Sequence, residues 1–227
     1  MSNHNFKIVG GDTDSIMFCK QDESPFTLEE RKSLIAEINS LLPEMIKYDS
    51  DGCFKRVIYL KAKNYIMIDE TGKKIVKGSS LKSSTLEPIL KNLLNDMVNS
   101  LIEKTDKDEL ISIYNKYVKM SLAITDIKPW SKKLQLSPTT FNSTRTNETK
   151  IVDAIKGSEY KSGDRIYVYT KDNGELALAE NFDGCYNLDT YLEKIYKTSQ
   201  RFSTILPTKE MFINYKLKKN KALLGNL

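Results

Sequence analysis

Histidine is almost missing from this chain. His4 is the only one in 227 residues, and it stands in a polar N-terminal stretch. Catalysis built on an imidazole is therefore not expected. Cysteine is scarce as well: Cys19, Cys53 and Cys185 lie far apart and form no Cys-x-x-Cys pair. Neither a zinc site nor a disulfide framework follows, and an intracellular compartment is expected. No apolar run reaches membrane-spanning length and no signal peptide is visible, so no membrane partner is expected. Internal repeats and low-complexity linkers are absent too. Strong charge of either sign is lacking: 35 basic against 30 acidic residues leave +5, and the placement of charge matters more than its sum. What remains is an ordinary globular composition, 40% hydrophobic and 29% charged, with length for one large or two small domains.

The stretch that organises the chain runs from Phe6 to Cys19, where two apolar runs flank Gly10-Gly11-Asp12-Thr13-Asp14-Ser15. The runs are β-branched and aromatic enough for strands, and Gly10 and Gly11 permit a tight reversal. The prediction is a β-hairpin with Asp12 and Asp14 at its tip. Residues two apart on an extended chain face one side, so the two carboxylates converge and repel. A divalent cation removes that repulsion, and Mg²⁺ is held by one or two carboxylates plus substrate phosphates. A turn rich in Asp for conformational reasons is the plainer explanation, and on the hairpin alone the two stand level. A calcium loop is excluded, because Ile16 and Met17 fill the fifth and sixth positions, where an oxygen ligand and a Gly are needed.

Downstream, Thr27 and Glu30 form a capping box. It predicts an amphipathic helix over 28–48, broken or kinked at Pro43, covering one face of the hairpin's sheet. Three short strands are predicted at 54–60, 63–68 and 74–77. From Phe54 to Lys91 nine Lys or Arg face three acids, interleaved with Tyr59 and Tyr65. That pattern suits a polyanion backbone, although on composition alone a solvated basic face explains it better. An apolar stripe from Leu86 to Ile102 predicts a core helix, and Asp106 or Asp108 starts another over 107–120. Residues 127–147 show no clear period. A helix ending at Lys156-Gly157, a strand over 165–169, another near 176–178, a helix over 189–196 and a last one at Met211-Phe212-Ile213 complete an α+β chain.

Gly-Asp-Thr-Asp-Ser resembles the third polymerase motif of family B DNA polymerases, whose usual form has Tyr where this chain has Gly10. Lys63-x-Tyr65 resembles the family's Lys-x-Tyr motif. Lys77-Gly78 followed by Lys82-Ser83-Ser84-Thr85 resembles the stretch where palm passes into thumb, with a Lys-Ser-Ser-Thr like that of T-even-type bacteriophage enzymes. Ala154-Ile155-Lys156-Gly157 and then Gly163-Asp164-Arg165 resemble the thumb of those enzymes. The resemblance covers nearly the whole chain. It implies the end of a palm over 1–82, an antiparallel sheet with catalytic hairpin and packed helix, and a mostly helical thumb over 83–227.

The resemblance also implies roles. Asp14 and Asp12 would be the catalytic, metal-binding pair of a two-Mg²⁺ site. Lys63, Tyr65, Lys77, Gly78, Lys82, Ser83, Ser84, Thr85 and Lys133 would touch primer-template DNA. Leu223, Leu224 and Leu227, in the basic and then apolar tail, would anchor on a sliding clamp. Absent are the Asp-x-x-Ser-Leu-Tyr pattern that gives the family a further metal-binding Asp, the fingers helix that grips the deoxynucleoside triphosphate, and a proofreading exonuclease. The chain is thus expected to be one subunit of a split polymerase or a fragment of an intact one, inactive without a partner that carries those motifs. Met1, close before the hairpin, favours a natural split. The compartment expected is the cytoplasm of a bacterium or a virus-infected host cell. A non-catalytic DNA-binding replication accessory module is the competing expectation.

Overall fold

The structure, a computed structural model, describes residues 6–78, 86–103, 106–142, 146–203 and 211–227. The chain divides into two compact units, residues 1–78 and 79–227.

In the first unit β1 (Phe6–Asp12) and β2 (Ser15–Lys20) pair antiparallel. A bulge leaves Val9 as the extra residue, with Ile8 opposite Phe18 and Gly10 opposite Met17. Phe6, Phe18 and Phe26 close the open end of this hairpin as a ring cluster, with centroids 5.3–6.1 Å apart. Helix α1 (Leu28–Ser40) starts at the predicted capping box: the Thr27 hydroxyl accepts the Glu30 N–H, and the Glu30 carboxylate accepts the Thr27 N–H. It ends sooner than the periodicity suggested, because Pro43 cannot donate to the next turn and Leu41 already caps the helix. None of its residues is fully buried; Leu34, Ile35 and Ile38 are half-buried, and Glu30 pairs with Lys20 of β2 at 2.7 Å. A second, three-stranded antiparallel sheet, in the order β3 (Phe54–Lys61), β4 (Asn64–Asp69) and β5 (Lys74–Lys77), buries Ile58, Leu60, Ile66 and Met67.

The second unit has the larger core. On α2 (Pro88–Glu103) the apolar stripe buries Ile89, Leu90, Leu93, Leu94, Met97, Val98 and Leu101. It packs with α3 (Lys107–Ser121), capped by Asp106, and with α6 (Leu188–Ser199), capped by Asn187. The Glu87 carboxylate, buried ahead of α2, pairs with Lys194 of α6 at 2.6 Å. Between α3 and α6 run β6 (Lys132–Gln135), α4 (Pro138–Asn142), α5 (Thr146–Ala154), β7 (Arg165–Thr170) and β8 (Leu176–Leu178). The strands form an antiparallel sheet in the order β6-β7-β8, over a cluster of Leu136, Ile155, Ile166, Val168 and Leu178. Strand β6 falls where the sequence shows no period; four residues with one half-buried Leu134 are too short to print an alternation. Met211-Phe212-Ile213 is not helical. Met211 and Phe212 are buried, and the Tyr114 hydroxyl donates to the Ile213 carbonyl, so this segment is fixed by long-range contact instead. No helix among the described residues is long and apolar enough to cross a membrane.

Candidate active site

The hairpin reverses at Thr13 and Asp14, not at the glycines. Gly10 and Gly11 lie within β1 and Asp12 pairs with Ser15, a correction to the expected turn. Glu23 and Lys63 are the described non-Gly residues with positive φ, so this two-residue turn is not of the primed types that hairpins favour. Asp12 holds it instead: its Oδ1 accepts the Thr13 N–H at 2.8 Å and the Thr13 hydroxyl at 3.2 Å. The Thr13 N–H and then Lys63 hold the Asp12 carboxyl below its usual range, so it is an anion at neutral pH. Asp14 sits in the turn, where strand alternation does not operate, so that alternation does not bring the two carboxylates to one face. Asp14 is exposed and engages no other described residue.

The structure brings Lys63 to the hairpin. Lys63 lies between β3 and β4 with φ +61°, and its Nζ is 3.3 Å from Asp12 Oδ1. Tyr65, two residues on, presents its ring to Tyr59 at a centroid separation of 5.2 Å. The Tyr59 hydroxyl donates to Met17 Sδ at 3.5 Å, and a Cβ on Gly10 would overlap that hydroxyl. Lys77 stands opposite Tyr65 on β5. Gly78 has φ +102°, and a Cβ there would overlap the Lys63 carbonyl and the Asn64 side chain. Asp12, Lys63, Tyr65, Lys77 and Gly78 therefore share one side of this unit, around Tyr59.

In the second unit Lys133 on β6 stands opposite Tyr167 on β7, with its Nζ 5.8 Å from the ring centroid. Lys128 approaches the same ring at 5.3 Å. Neither Lys128 nor Tyr167 carries a local signal that would single it out; the cross-strand register sets Tyr167 opposite Lys133, and Lys128 joins them through the ring. Lys82, Ser83, Ser84 and Thr85 lie outside the described residues. The tail forms a 3-10 stretch over Lys218–Asn226, with Leu223 exposed and Leu224 and Leu227 half-buried. Lys119 of α3 donates to the Leu227 carbonyl at 3.1 Å and Lys221 pairs with Asp189 of α6 at 2.8 Å, so the tail lies on its own unit.

Among the described residues no group of three or more His, Cys, Asp or Glu is placed to hold a metal. Asp12 and Asp14 carry carboxyl oxygens, the donor type that a Mg²⁺ ion takes, and could supply part of the ligand set of such a site.

The unit carrying residues 1–78 thus sets an acidic hairpin tip beside a Lys-x-Tyr turn on small antiparallel sheets. Residues 1–217 match the sequence profile of DNA polymerase family B, and the chain belongs to that family. It is 24% identical over 194 residues to the DNA polymerase of Archaeoglobus fulgidus, covering 79% of this chain and 24% of that one. It is 25% identical over 199 residues to the DNA polymerase alpha catalytic subunit of Xenopus laevis, covering 78% of this chain and 13% of that one. The fold resembles the family B DNA polymerase of Pyrobaculum calidifontis with a TM-score of 0.65 at 15% identity, over 90% of this chain and 27% of that one. The chain thus spans about a quarter or less of the length of these relatives.

Proposed function

We propose that this chain supplies the end of the palm (1–82) and the thumb (83–227) of a DNA-directed DNA polymerase, and that it works with a further portion carrying the rest of the palm and the fingers. The observation that carries this reading is the contact between Asp12 and Lys63: two motifs far apart in sequence meet at one place. In it, Asp14 holds Mg²⁺ and Asp12 supports the site. The ion, when bound, neutralises charge on the transferring phosphate and on the attacking oxygen. Lys63 and Tyr65 hold the primer end, and Lys77 and Lys133 contact phosphates, with Lys supplying point charge. Exposed Ile8, Val9, Ile16, Leu41 and Met45 in residues 1–78 support a further layer over this unit. Lys82-Ser83-Ser84-Thr85 and the Ala154-Ile155-Lys156-Gly157 run at the end of α5 support a likeness to the phage enzymes. The exposed Leu223, with Leu224 and Leu227, is the proposed clamp anchor.

The test is equilibrium binding of a labelled primer-template duplex across a salt series, with primer extension measured alongside. This chain alone should bind weakly, in a salt-sensitive and sequence-indifferent way, and extend nothing. Lys133→Ala should lower the salt slope by about one unit and weaken all sequences alike. A base preference, or robust extension by this chain alone, overturns the reading.

A further inference from the structure

Tyr59 lies in none of the motifs that the family resemblance marks, yet through it the three-stranded sheet meets the hairpin. Gly10 and Met17 are cross-strand partners, so they share a face of the hairpin. The Tyr59 side chain occupies that face at both: its hydroxyl donates to Met17 Sδ, and its outer ring edge fills the volume that a Cβ on Gly10 would take. Gly10 and Asp12 are two apart on β1, which puts Asp12 on the same face. Asp12 there meets Lys63, from the turn four residues after Tyr59. Tyr65 packs against the Tyr59 ring, with centroids 5.2 Å apart and the planes tilted by 40°. The bulge at Val9 sets this register, because without it Gly10 would face the other way.

We propose that Tyr59 is a positioning residue for the hairpin carboxylates: its ring, seated on the bare backbone of Gly10, fixes the hairpin so that Asp12 meets Lys63 and the tip presents Asp14 to a metal ion. The motif that this hairpin resembles carries an aromatic at position 10 itself. Here the aromatic comes from β3, and Gly10 is what admits it. Desolvation raises the Tyr59 pKa, with Tyr65 and Asp12 adding to the effect, so the ring stays a neutral phenol beside the carboxylate. The inference rests on the metal role proposed for Asp12 and Asp14.

The test is a Mn²⁺ titration of the whole isotope-labelled chain, following paramagnetic broadening of the amide signals of residues 12–15. Tyr59→Phe keeps the ring and should titrate within about twofold of the unsubstituted chain. Tyr59→Ala and Gly10→Ala should each need about threefold more Mn²⁺ or beyond, which lies inside the range of coupling between touching residues. The double variant should need no more than Tyr59→Ala alone, because both changes remove one contact. Gly10→Ala keeps every other side chain and carries the test where Tyr59→Ala does not fold. Broadening that ignores these variants, or losses that multiply in the double variant, overturns the inference. No broadening in the unsubstituted chain overturns the metal reading, and this inference with it.

Discussion

Primer extension should appear when this chain is mixed with a chain carrying the first and second polymerase motifs, and Asp14→Ala in the mixture should remove it by a factor of about 10³ or more. The physical argument starts from what phosphoryl transfer needs. Positioning and charge neutralisation supply almost all of its catalysis, with two cations about 3.5–4 Å apart clamping the attacking and leaving oxygens. A clamp of that kind draws ligands from more than one segment. The hairpin offers two carboxylates, and no third candidate ligand joins them among the described residues. Asp12 is already engaged by Thr13 and Lys63, whereas Asp14 is exposed and engages no other described residue. Asp14 is therefore the proposed ligand whose loss should matter most. Removing it forfeits several kcal/mol of transition-state stabilisation, and about 4 kcal/mol corresponds to a thousandfold in rate. Its exposure means that Asp14→Ala should leave folding unchanged, since surface changes stay within about 0.5 kcal/mol. The measurement is extension by this chain, by the complement, and by both, with the variant and its melting curve alongside. Near-normal extension by the Asp14→Ala mixture sinks the assignment, and extension by either chain alone sinks the need for both.

What the sequence shows of this fold is what is local. Thr27 and Glu30 announce the start of α1 because a capping box is complete within four residues. The seven buried apolar residues of α2 recur at helical spacing, so one helix prints its whole buried face. Asp106 caps α3 by the same short-range logic, whereas the Asn187 cap of α6 stands two residues ahead of the start that the sequence predicts. The contacts that build the candidate site are of another kind. That Gly10 is a seat for Tyr59, not a turn residue, depends on two sheets meeting, and no window of either strand contains it. The turn at Thr13 and Asp14 is chosen by the Asp12 carboxylate accepting twice from Thr13, which competed with the better-known preference of Gly for turns. Lys128 joins Lys133 only through Tyr167 on the neighbouring strand. The family motifs named Asp12, Asp14, Lys63 and Tyr65, and the structure adds that Asp12 and Lys63 touch.

Gly78→Ala should destabilise residues 1–78 by about 2–6 kcal/mol, the sum of a backbone and a packing cost. Sequence resemblance gives Gly78 a part in letting phosphates approach, but its geometry gives it a further one. Its φ of +102° is a conformation that side chains with a Cβ avoid, at a cost of about 1–3 kcal/mol. A Cβ there would also overlap two groups of the β3–β4 turn. One is the Asn64 side-chain oxygen, which could swing aside only by disturbing the bond from Asn64 Nδ2 to the Ala62 carbonyl at 2.9 Å. The other is the backbone carbonyl of Lys63, which cannot move without its residue. Lys63 is itself held at φ +61°, so it has little latitude, and relieving the overlap should rotate it out of the left-handed region. Its Nζ would then leave Asp12, and the primer-end contact proposed for Lys63 would go with it. Three readings follow from one substitution: a lower urea midpoint with unchanged slope, loss of the Lys63 perturbation from the Asp12 titration, and weaker duplex binding at low salt. Gly78→Asn tolerates positive φ better than Ala yet brings the same overlap, so it should recover part of the stability and none of the Lys63–Asp12 pairing. A Gly78→Ala chain within about 0.5 kcal/mol of the unsubstituted one would show that the turn yields freely, and that Gly78 does not hold Lys63 in place.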